Sequence, residues 1–262
     1  MNVSALASFP MFDMHGRVVV VTGGNGGIGL GMAAALAGAG AEVAIWGTNA
    51  DKNARASTEL REAYGRRVEA WRCDVSDEAQ VKESFAAVVA TFGKVDSMIA
   101  NAGIGGWSPI WKMTLAEWRR VTAVNLDGAF LCFREAAAHM VERGEGGSLV
   151  AVSSTSAIHG APGMEHYASS KAGLLALVRG MAVELARYGI RANALLPGWT
   201  DTDLMAGGKQ NEKFVKNTIS RTPVRRWGLP TDMGPAAVFL ADPTHTFHTG
   251  DSLVVDGGYT VF

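Results

Sequence analysis

The sequence predicts an α/β protein with one doubly wound, Rossmann-type parallel sheet of about seven strands in a single domain. Three observations favour this fold. Short apolar runs rich in β-branched residues alternate along the 262 residues with longer segments of helical periodicity. Several runs are apolar without interruption, as expected for strands that helices cover on both faces. A glycine-rich segment, TGGNGGIG at 22–29, joins the first run to the first helical segment.

The predicted strands and helices alternate through the whole chain. Helices are predicted at 27–39, 51–64, 77–92, 114–143, 165–188 and 231–241. The strands are RVVVVT (17–22), EVAIW (42–46), VEAWRC (68–73), VDSMIA (95–100), SLVAVS (148–153), IRANALL (190–196) and SLVVD (252–256). No linker, repeat or charge block divides the chain, so we predict one domain at 13–262 after an N-terminal extension at 1–12.

Composition excludes other classes of protein. Apolar residues make up 48% of the chain and charged residues 19%, which is typical of a globular protein and excludes a disordered, collagen-like or coiled-coil chain. The 24 basic and 25 acidic residues give a net charge of −1, so we expect no nucleic-acid partner. Two cysteines are too few for a disulfide framework and are typical of a reducing compartment.

The apolar stretch at 18–41 has the length of a membrane span. Eight of its 24 residues are glycines, and Thr22 and Asn25 interrupt it, so it predicts a strand, a turn and a helix. The N-terminal residues have no basic segment followed by an apolar core. We therefore expect no signal peptide, no membrane partner and a cytoplasmic location.

The segment at 199–223 departs from the alternation of strands and helices. It contains two glycines, scattered polar residues and only a weak helical pattern. A long excursion between two strands of a sheet usually has a function, so we predict a lid over a substrate cleft. The alternative is a structural loop over the edge of a helix.

The glycine-rich turn after the first strand predicts a pyrophosphate site. Gly23 permits a tight exit from the strand, Gly27 permits close approach of an anion to backbone N–H groups, and Gly29 permits close packing of the helix on the sheet. No Gly-Lys-Ser/Thr follows the turn, which excludes a P-loop.

Tyr167 and Lys171, in the string YASSK, are four residues apart in a predicted helix and so lie on one face of it. A phenol with a pKa of about 10 is a poor acid–base catalyst at neutral pH, but a neighbouring ammonium lowers that pKa. Ser154 follows a predicted strand, and the carboxyl ends of parallel strands face the ligand crevice. We therefore expect Ser154 and Tyr167 to hydrogen-bond the same reacting oxygen.

In combination, these motifs resemble those of the simple form of the short-chain dehydrogenase/reductase family, over residues 13–262. The matching strings, in the family's order, are TGGNGGIG (22–29), CDV (73–75), NAG (101–103), VN (124–125), SS (153–154), YASSK (167–171), PG (197–198) with Thr202, and DGG (256–258).

The resemblance implies a role for each matching residue. Tyr167 would be the general acid–base, and Ser154 would polarise the substrate oxygen. Lys171 would bind the nicotinamide ribose and lower the pKa of Tyr167, and Asn125 would hold a kinked long helix and a proton-relaying water. The other cofactor contacts would come from Gly23, Asn25, Gly27, Ile28, Gly29, Thr48, Asn49, Asp74, Val75, Asn101, Ala102, Gly103, Pro197, Gly198, Thr200 and Thr202.

The implied activity is hydride transfer between a nicotinamide and a carbonyl or carbinol carbon of a small molecule. Two alternatives remain, a non-redox lyase or isomerase on the same scaffold and a cofactor-binding regulatory protein. The first is disfavoured because epimerase-type members usually carry a larger C-terminal substrate domain. The second is disfavoured because a dead site has no physical reason to keep all four catalytic residue types.

The end of the second predicted strand bears on the choice between NADP and NAD. It consists of Gly47, Thr48 and Asn49, so no carboxylate stands there to repel a 2′-phosphate. The arginines that NADP-preferring members often use are absent at Gly26 and Thr48, but Lys52 follows closely. The sequence favours NADP, with NAD as the alternative.

Substrate contacts are expected after strand ends and in the lid. They suggest a small apolar or aromatic ketone or alcohol and are Trp107, His159, Met164, Trp199 and Met205. The six histidines lack metal-ligand spacing with a carboxylate, so we predict no metal site. Family members pair through the two long helices, here 114–143 and 165–188, and we expect a homotetramer or homodimer.

Overall fold

The computed structural model describes residues 12–262 and contains one seven-stranded sheet. Its order is β3-β2-β1-β4-β5-β6-β7, and every neighbouring pair is parallel. The order changes direction between β1 and β4, which confirms the predicted doubly wound sheet. The strands are β1 (Val18–Thr22), β2 (Glu42–Gly47), β3 (Val68–Arg72), β4 (Ser97–Ala100), β5 (Gly147–Val152), β6 (Ile190–Pro197) and β7 (Ser252–Val255). The predicted N-terminal extension lies, except for Phe12, outside the described residues.

Helices cover both faces of the sheet and bury a separate apolar core on each. On one face, α3, α5 and α7 pack against the sheet, and on the other face α1, α2 and α10 do. The helices are α1 (Gly27–Gly38), α2 (Ala50–Tyr64), α3 (Glu78–Phe92), α4 (Leu115–Thr122), α5 (Gly128–Arg143), α6 (Ser156–His159), α7 (Glu165–Leu185), α8 (Ala206–Lys209), α9 (Glu212–Arg221) and α10 (Gly234–Ala241). Within the described part of the chain, no helix is long and apolar enough to cross a membrane.

Local sequence signals explain where the outer helices begin and end. Asn49 caps α2, and its side-chain oxygen accepts a hydrogen bond from the Lys52 amide. Asp77 caps α3 in the same way. Both helices stop at a glycine in the left-handed conformation, Gly65 and Gly93.

The predicted helix at 114–143 is not continuous. A π-helical turn at Ala123–Asp127 separates α4 from α5. Such turns insert an extra residue and are frequent at functional sites. This one holds Asn125, which is 1% exposed, towards the interior. The π-helical turn is not visible as a break in apolar periodicity, because it depends on partners that are distant in the sequence.

The predicted lid contains more helix than its sequence pattern indicated. A 3-10 turn at Asp203–Met205 leads into α8, and α9 follows from Glu212 to Arg221. Asn211 starts α9 by accepting a hydrogen bond from the Phe214 amide. The helical residues of α9 pack against aromatic side chains from other parts of the chain, which a local pattern does not reveal.

Asp96, at the amino edge of the sheet, is a buried carboxylate surrounded by cations. It is 1% exposed and accepts a hydrogen bond of 2.9 Å from the Val18 amide. Its oxygens lie 3.1 Å from Lys94 Nζ, 3.2 Å from Arg143 Nη1 and 3.7 Å from Arg17 Nη1. This carboxylate therefore connects β1, β4 and the end of α5. It lies at the amino edge of the sheet, opposite the carboxyl ends of the strands.

We expect Asp96→Asn to lower the free energy of unfolding by about 3 kcal/mol, because it leaves neighbouring cations without their buried counter-charge. Urea unfolding at a fixed protein concentration measures the change. Glu145→Gln is the control, since Glu145 also lies beside Arg143, at 3.4 Å, but is 66% exposed. It should cost less than about 1 kcal/mol. Equal losses in the two variants would contradict the assignment.

Candidate active site

Three of the predicted catalytic residues meet where β5 ends and α7 begins. Ser154 lies just beyond β5, and its side chain is close enough to the Tyr167 phenol to influence its pKa. Lys171 Nζ lies 5.7 Å from the centroid of the Tyr167 ring and donates a hydrogen bond of 2.8 Å to the Val152 carbonyl. Ser153 Oγ donates to the Lys171 carbonyl at 2.8 Å, which fixes α7 to β5. The spacing of four residues therefore places both side chains on one face, as predicted.

Asn125 joins this group from the π-helical turn. Its Oδ1 accepts from the Ile104 amide at 2.8 Å, and its Nδ2 donates to the Ile104 carbonyl at 3.0 Å. The same Nδ2 donates to Ser170 Oγ at 3.2 Å. A Cβ atom on Gly103 would lie 3.3 Å from both Asn125 Oδ1 and Lys171 Nζ. Asn125 thus connects the loop after β4 to α7 beside Lys171, and the four predicted catalytic residues lie together.

Burial governs the charge states of the site. Lys171 is 3% exposed, and the loss of hydration lowers its pKa from 10.5 to about 8. Burial raises the pKa of the Tyr167 phenol, and the nearby Ser154 side chain opposes that rise. These directions describe the protein without a cofactor. A bound group that hydrogen-bonds Lys171 or stabilises the phenolate therefore acts on both pKa values.

The glycine-rich turn fits a pyrophosphate. Gly23 has a φ of +64°, and Asn101 Nδ2 donates to the Thr22 carbonyl beside it at 2.9 Å. A Cβ atom on Gly29 would collide with the carbonyl of Gly23, so the close packing predicted for Gly29 is present. The N-terminus of α1 has no side-chain cap, and a Cβ atom on Gly26 would meet nothing within 4 Å. Free backbone N–H groups thus face open space at a helix N-terminus, which suits a diphosphate anion.

The remaining predicted cofactor residues lie along the same carboxyl edge of the sheet. Asp74 and Val75 follow β3, the string 101–103 follows β4, and the string 197–202 starts at the last residue of β6. Thr22 Oγ1 accepts hydrogen bonds of 2.9 Å from the amides of Asn101 and Ala102, which joins the ends of β1 and β4. A Cβ atom on Gly27 would lie 3.3 Å from the methyl group of Thr202, so the start of the lid borders the turn.

A pair of side-chain amides holds the end of β2, and of the two only Asn25 was predicted to lie at the site. Asn25 Nδ2 donates to Asn53 Oδ1 at 2.6 Å, and Asn53 Nδ2 donates at 2.9 Å to the carbonyls of Gly47 and Trp71. A Cβ atom on Gly47 would collide with both asparagines. A side chain at position 47 would therefore displace this amide pair, apart from any effect on a phosphate. Asn53 gave no signal because it lies within α2, outside the motifs.

Two cations lie near this strand end. Lys52, which the sequence placed close enough to add charge, forms an ion pair of 3.1 Å with Asp203 in the lid. Arg72, at the end of β3, was not singled out in the sequence. Its Nε donates to the Thr48 carbonyl at 3.3 Å. The neutral strand end thus has basic neighbours on both sides.

The predicted substrate residues fall into three groups. Trp107 packs on Gly163, and Met164 Cε and Leu204 Cδ1 both approach Gly105, within 3.5 and 3.6 Å of where its Cβ atom would be. Leu204, a lid residue, was not predicted. Met205 packs inside the lid, and a Cβ atom on Gly208 would lie 3.1 Å from its Cε. The third group consists of Trp199 and His159, whose rings lie 6.2 and 6.4 Å from that of Tyr259.

Comparison with known proteins gives a consistent result. Residues 23–260 match the family model described as Enoyl-(Acyl carrier protein) reductase. The chain is 39% identical over 248 residues to an L-rhamnose 1-dehydrogenase (NAD(P)(+)) of Sphingomonas sp. (strain SKA58), covering 95% of this chain and 98% of that protein. It is 41% identical over 248 residues to a cis-4-hydroxycyclohexanecarboxylate dehydrogenase of Sinomonas cyclohexanicum, covering 93% and 96%.

Solved structures agree with these relatives. The gluconate 5-dehydrogenase of Burkholderia cenocepacia J2315, determined in complex with NADP and tartrate, superposes with a TM-score of 0.91. It is 35% identical, and the match covers 96% of this chain and 98% of that one. Since the family model, the relatives, the sheet order and the assembled site agree, the chain belongs to the short-chain dehydrogenase/reductase family.

Proposed function

We propose that Tyr167 is the acid–base residue with which this chain interconverts a carbonyl and an alcohol. As a member of the family, the chain is an NAD(P)-dependent alcohol dehydrogenase or ketoreductase. The observation that carries the assignment is the Ser154 side chain close to the Tyr167 phenol, with Lys171 buried beside the ring. A regulatory protein without activity would have no need for a buried lysine next to a phenol.

A bound nicotinamide supplies the hydride in reduction or accepts it in oxidation. During reduction, the phenol of Tyr167 gives its proton to the substrate oxygen, and the Ser154 hydroxyl donates a hydrogen bond to the same oxygen. The ammonium of Lys171 lowers the free energy of the resulting phenolate. During oxidation, the phenolate accepts the proton from the carbinol. The oxygen and the nitrogen of the Asn125 amide both bond to the backbone of Ile104. Asn125 therefore keeps the loop after β4 beside Lys171, where the proton exchanged by Tyr167 leaves the site.

The residues that would hold the dinucleotide lie along the carboxyl edge of the sheet. The N-terminus of α1 would bind the pyrophosphate, and Asp74 and Val75 would contact the adenine. Lys171 would exchange its bond to the Val152 carbonyl for the nicotinamide ribose. Since the end of β2 has no carboxylate and Arg72 lies beside Thr48, we propose that the chain accepts NADP as well as NAD.

The substrate is, on this proposal, a ring-sized hydroxy or oxo compound. Trp107, Met164 and Leu204 supply apolar surface near Gly105 and Gly163, which suits the predicted apolar body. The relatives described above are named for a sugar, a cyclohexane acid and a sugar acid, each of which carries the carbinol that this chemistry needs.

We also propose a cytoplasmic homodimer or homotetramer. Phe130 on α5 is 46% exposed and Val183 on α7 is 83% exposed. Exposed apolar side chains on these two helices suit burial against a second copy. A monomer in light scattering at micromolar concentration would contradict this assembly.

Tyr167→Phe should lower kcat/KM by at least about a hundredfold, because the ring still packs but no proton can be transferred. Absorbance of the reduced nicotinamide with a panel of ketones and alcohols measures turnover, and calorimetry measures the Kd for the dinucleotide, which should stay nearly unchanged. Tyr64→Phe, at a residue that is 42% exposed, is the control. Turnover like that of the wild type in Tyr167→Phe would refute the assignment.

Lys171→Met should abolish turnover and stabilise the protein without cofactor at pH 7. A pKa lowered from 10.5 to about 8 means that the unfolded chain binds this proton more tightly. Burial of the Lys171 ammonium therefore lowers the free energy of unfolding below pH 8, by at most about 3 kcal/mol. This loss disappears as the pH rises towards 10.5. The lost bond to Val152 offsets about 1 kcal/mol of that gain.

Urea unfolding between pH 7 and pH 10.5 tests this prediction. The advantage of Lys171→Met should shrink across that range, whereas the exposed control Lys82→Met should show no such trend. A variant less stable than the wild type at pH 7, by an amount independent of pH, would contradict the lowered pKa.

Thr48→Asp tests the cofactor site better than a change at Gly47, since any side chain at position 47 collides with Asn25 and Asn53. The new carboxylate should weaken NADPH by about tenfold through charge repulsion and leave NADH unaffected. Fluorescence titration gives both Kd values, and the neutral Thr48→Asn is the matched control. An equal change for both dinucleotides would show that no 2′-phosphate lies there.

A further inference from the structure

Tyr259, three residues after the start of the DGG string at 256–258, connects the lid to the loop that follows Ser154. Its ring lies 6.2 Å from the ring of Trp199 at 86° and 6.4 Å from the ring of His159 at 74°. Arg221, the last residue of α9, places its guanidinium carbon 4.4 Å from the centroid of the same ring. Arg221 Nη1 also lies 3.4 Å from the Tyr259 hydroxyl. One aromatic ring therefore holds a cation from the lid and faces a histidine from α6.

This group borders the catalytic residues. His159 ends α6, which starts two residues after Ser154, and Ser154 Oγ accepts a hydrogen bond of 3.1 Å from the Ser156 amide. Helix α6 packs against α7, which carries Tyr167. Trp199 lies just beyond β6 on the same carboxyl edge. Arg221, Tyr259 and His159 thus form one contiguous wall that runs from the last residue of α9 to α6, the helix that follows Ser154.

The guanidinium of Arg221 has no counter-charge in the part of the chain that the structure describes. Some basic residues in and around the lid are paired, Lys209 with Asp201, Lys52 with Asp203, and Arg226 with Asp232. Among the described residues, Lys213, Lys216 and Arg225 are unpaired like Arg221, but of these four residues only Arg221 stacks on an aromatic ring. No carboxylate of residues 12–262 lies within 4.0 Å of a nitrogen of Arg221. An arginine that is stacked on an aromatic ring and unpaired retains N–H donors in a fixed plane, which suits a carboxylate.

We propose that Arg221, held in place by Tyr259 and flanked by His159, binds a carboxylate of the substrate. The substrate class is then a hydroxy or oxo carboxylic acid, with its carbinol or carbonyl at Tyr167 and Ser154 and its acid group at this wall. The assignment rests on the proposed function and narrows it, because a neutral sugar or a simple ketone would leave the guanidinium without a partner.

The test compares an acid with an uncharged molecule of the same shape. The pair is cis-4-hydroxycyclohexanecarboxylate and its carboxamide, and gluconate and glucitol form a second pair. Turnover with saturating dinucleotide gives kcat and KM. Since Trp199 lies beside Tyr259, binding at this wall should quench tryptophan fluorescence. The quenching, measured in the protein with dinucleotide bound, gives a Kd that does not depend on turnover.

The wild type should bind at least one acid about ten- to a hundredfold more tightly than its uncharged partner, which is the range for a charge-assisted hydrogen bond. Arg221→Gln should remove that preference by raising KM and Kd for the acid and leaving kcat and the uncharged molecule nearly unchanged. Arg221→Lys should retain part of the preference, because it keeps the charge and loses the planar donors.

Arg187→Gln is the matched control, since Arg187 also stacks on a tyrosine, with its guanidinium carbon 4.7 Å from the Tyr188 ring, but at the opposite edge of the sheet. It should leave the preference for the acid intact.

Equal affinity of the wild type for acids and uncharged partners, or an unchanged preference in Arg221→Gln, overturns the carboxylate site. Turnover of uncharged ketones without preference for acids would overturn this inference alone. If no compound of either kind is turned over, the proposed function fails, and the Kd values still decide the inference.

Discussion

A lysine that is 3% exposed has lost most of its hydration, and Lys171 recovers one hydrogen bond from the Val152 carbonyl. Its own carbonyl accepts from Ser153 Oγ, so the same residue attaches α7 to the end of β5 through both backbone and side chain. Ser154 follows directly, and the position of its side chain near Tyr167 depends on this attachment. The register between one helix and one strand therefore sets the geometry of the proposed proton transfer. The buried ammonium of Lys171 depends on its hydrogen bond to the Val152 carbonyl. A small displacement of α7 would weaken that bond and so alter the site.

A second constraint is the close approach of backbone segments at the carboxyl edge. Gly29 lies against the carbonyl of Gly23, and Gly47 lies against two asparagine amides. Side chains would fill these positions and separate α1 and α2 from the strand ends. The open space that remains in front of α1 is what makes its unpaired N–H groups available to an anion. Packing with small residues thus produces the cofactor site as directly as any polar contact does.

The predicted lid at 199–223 is joined to the rest of the chain at both ends of the proposed site. Lys52, at the start of α2, pairs with Asp203 near the proposed cofactor site, and Tyr259 contacts Trp199 and stacks with Arg221 near the proposed substrate site. The first contact is an exposed ion pair, which contributes little to stability and is weakened by salt. The second is an aromatic cluster that includes Phe214 and Trp227 and is partly buried. The substrate side of the lid is therefore the more firmly held of the two.

The sequence alone determined the fold class, the order of alternating elements and the residues that gather at the strand ends. These features follow from short periods, since alternation of apolar runs identifies strands, and a spacing of four residues places Tyr167 and Lys171 on one helical face. Only the tertiary structure decided the π-helical turn at Asn125, the amide pair of Asn25 and Asn53, the ion pair of Lys52 with Asp203 and the stacking of Arg221 on Tyr259. The partners in those last three pairs are 28, 151 and 38 residues apart. No local period relates residues at such separations, because their contact arises only when the sheet brings its carboxyl ends together.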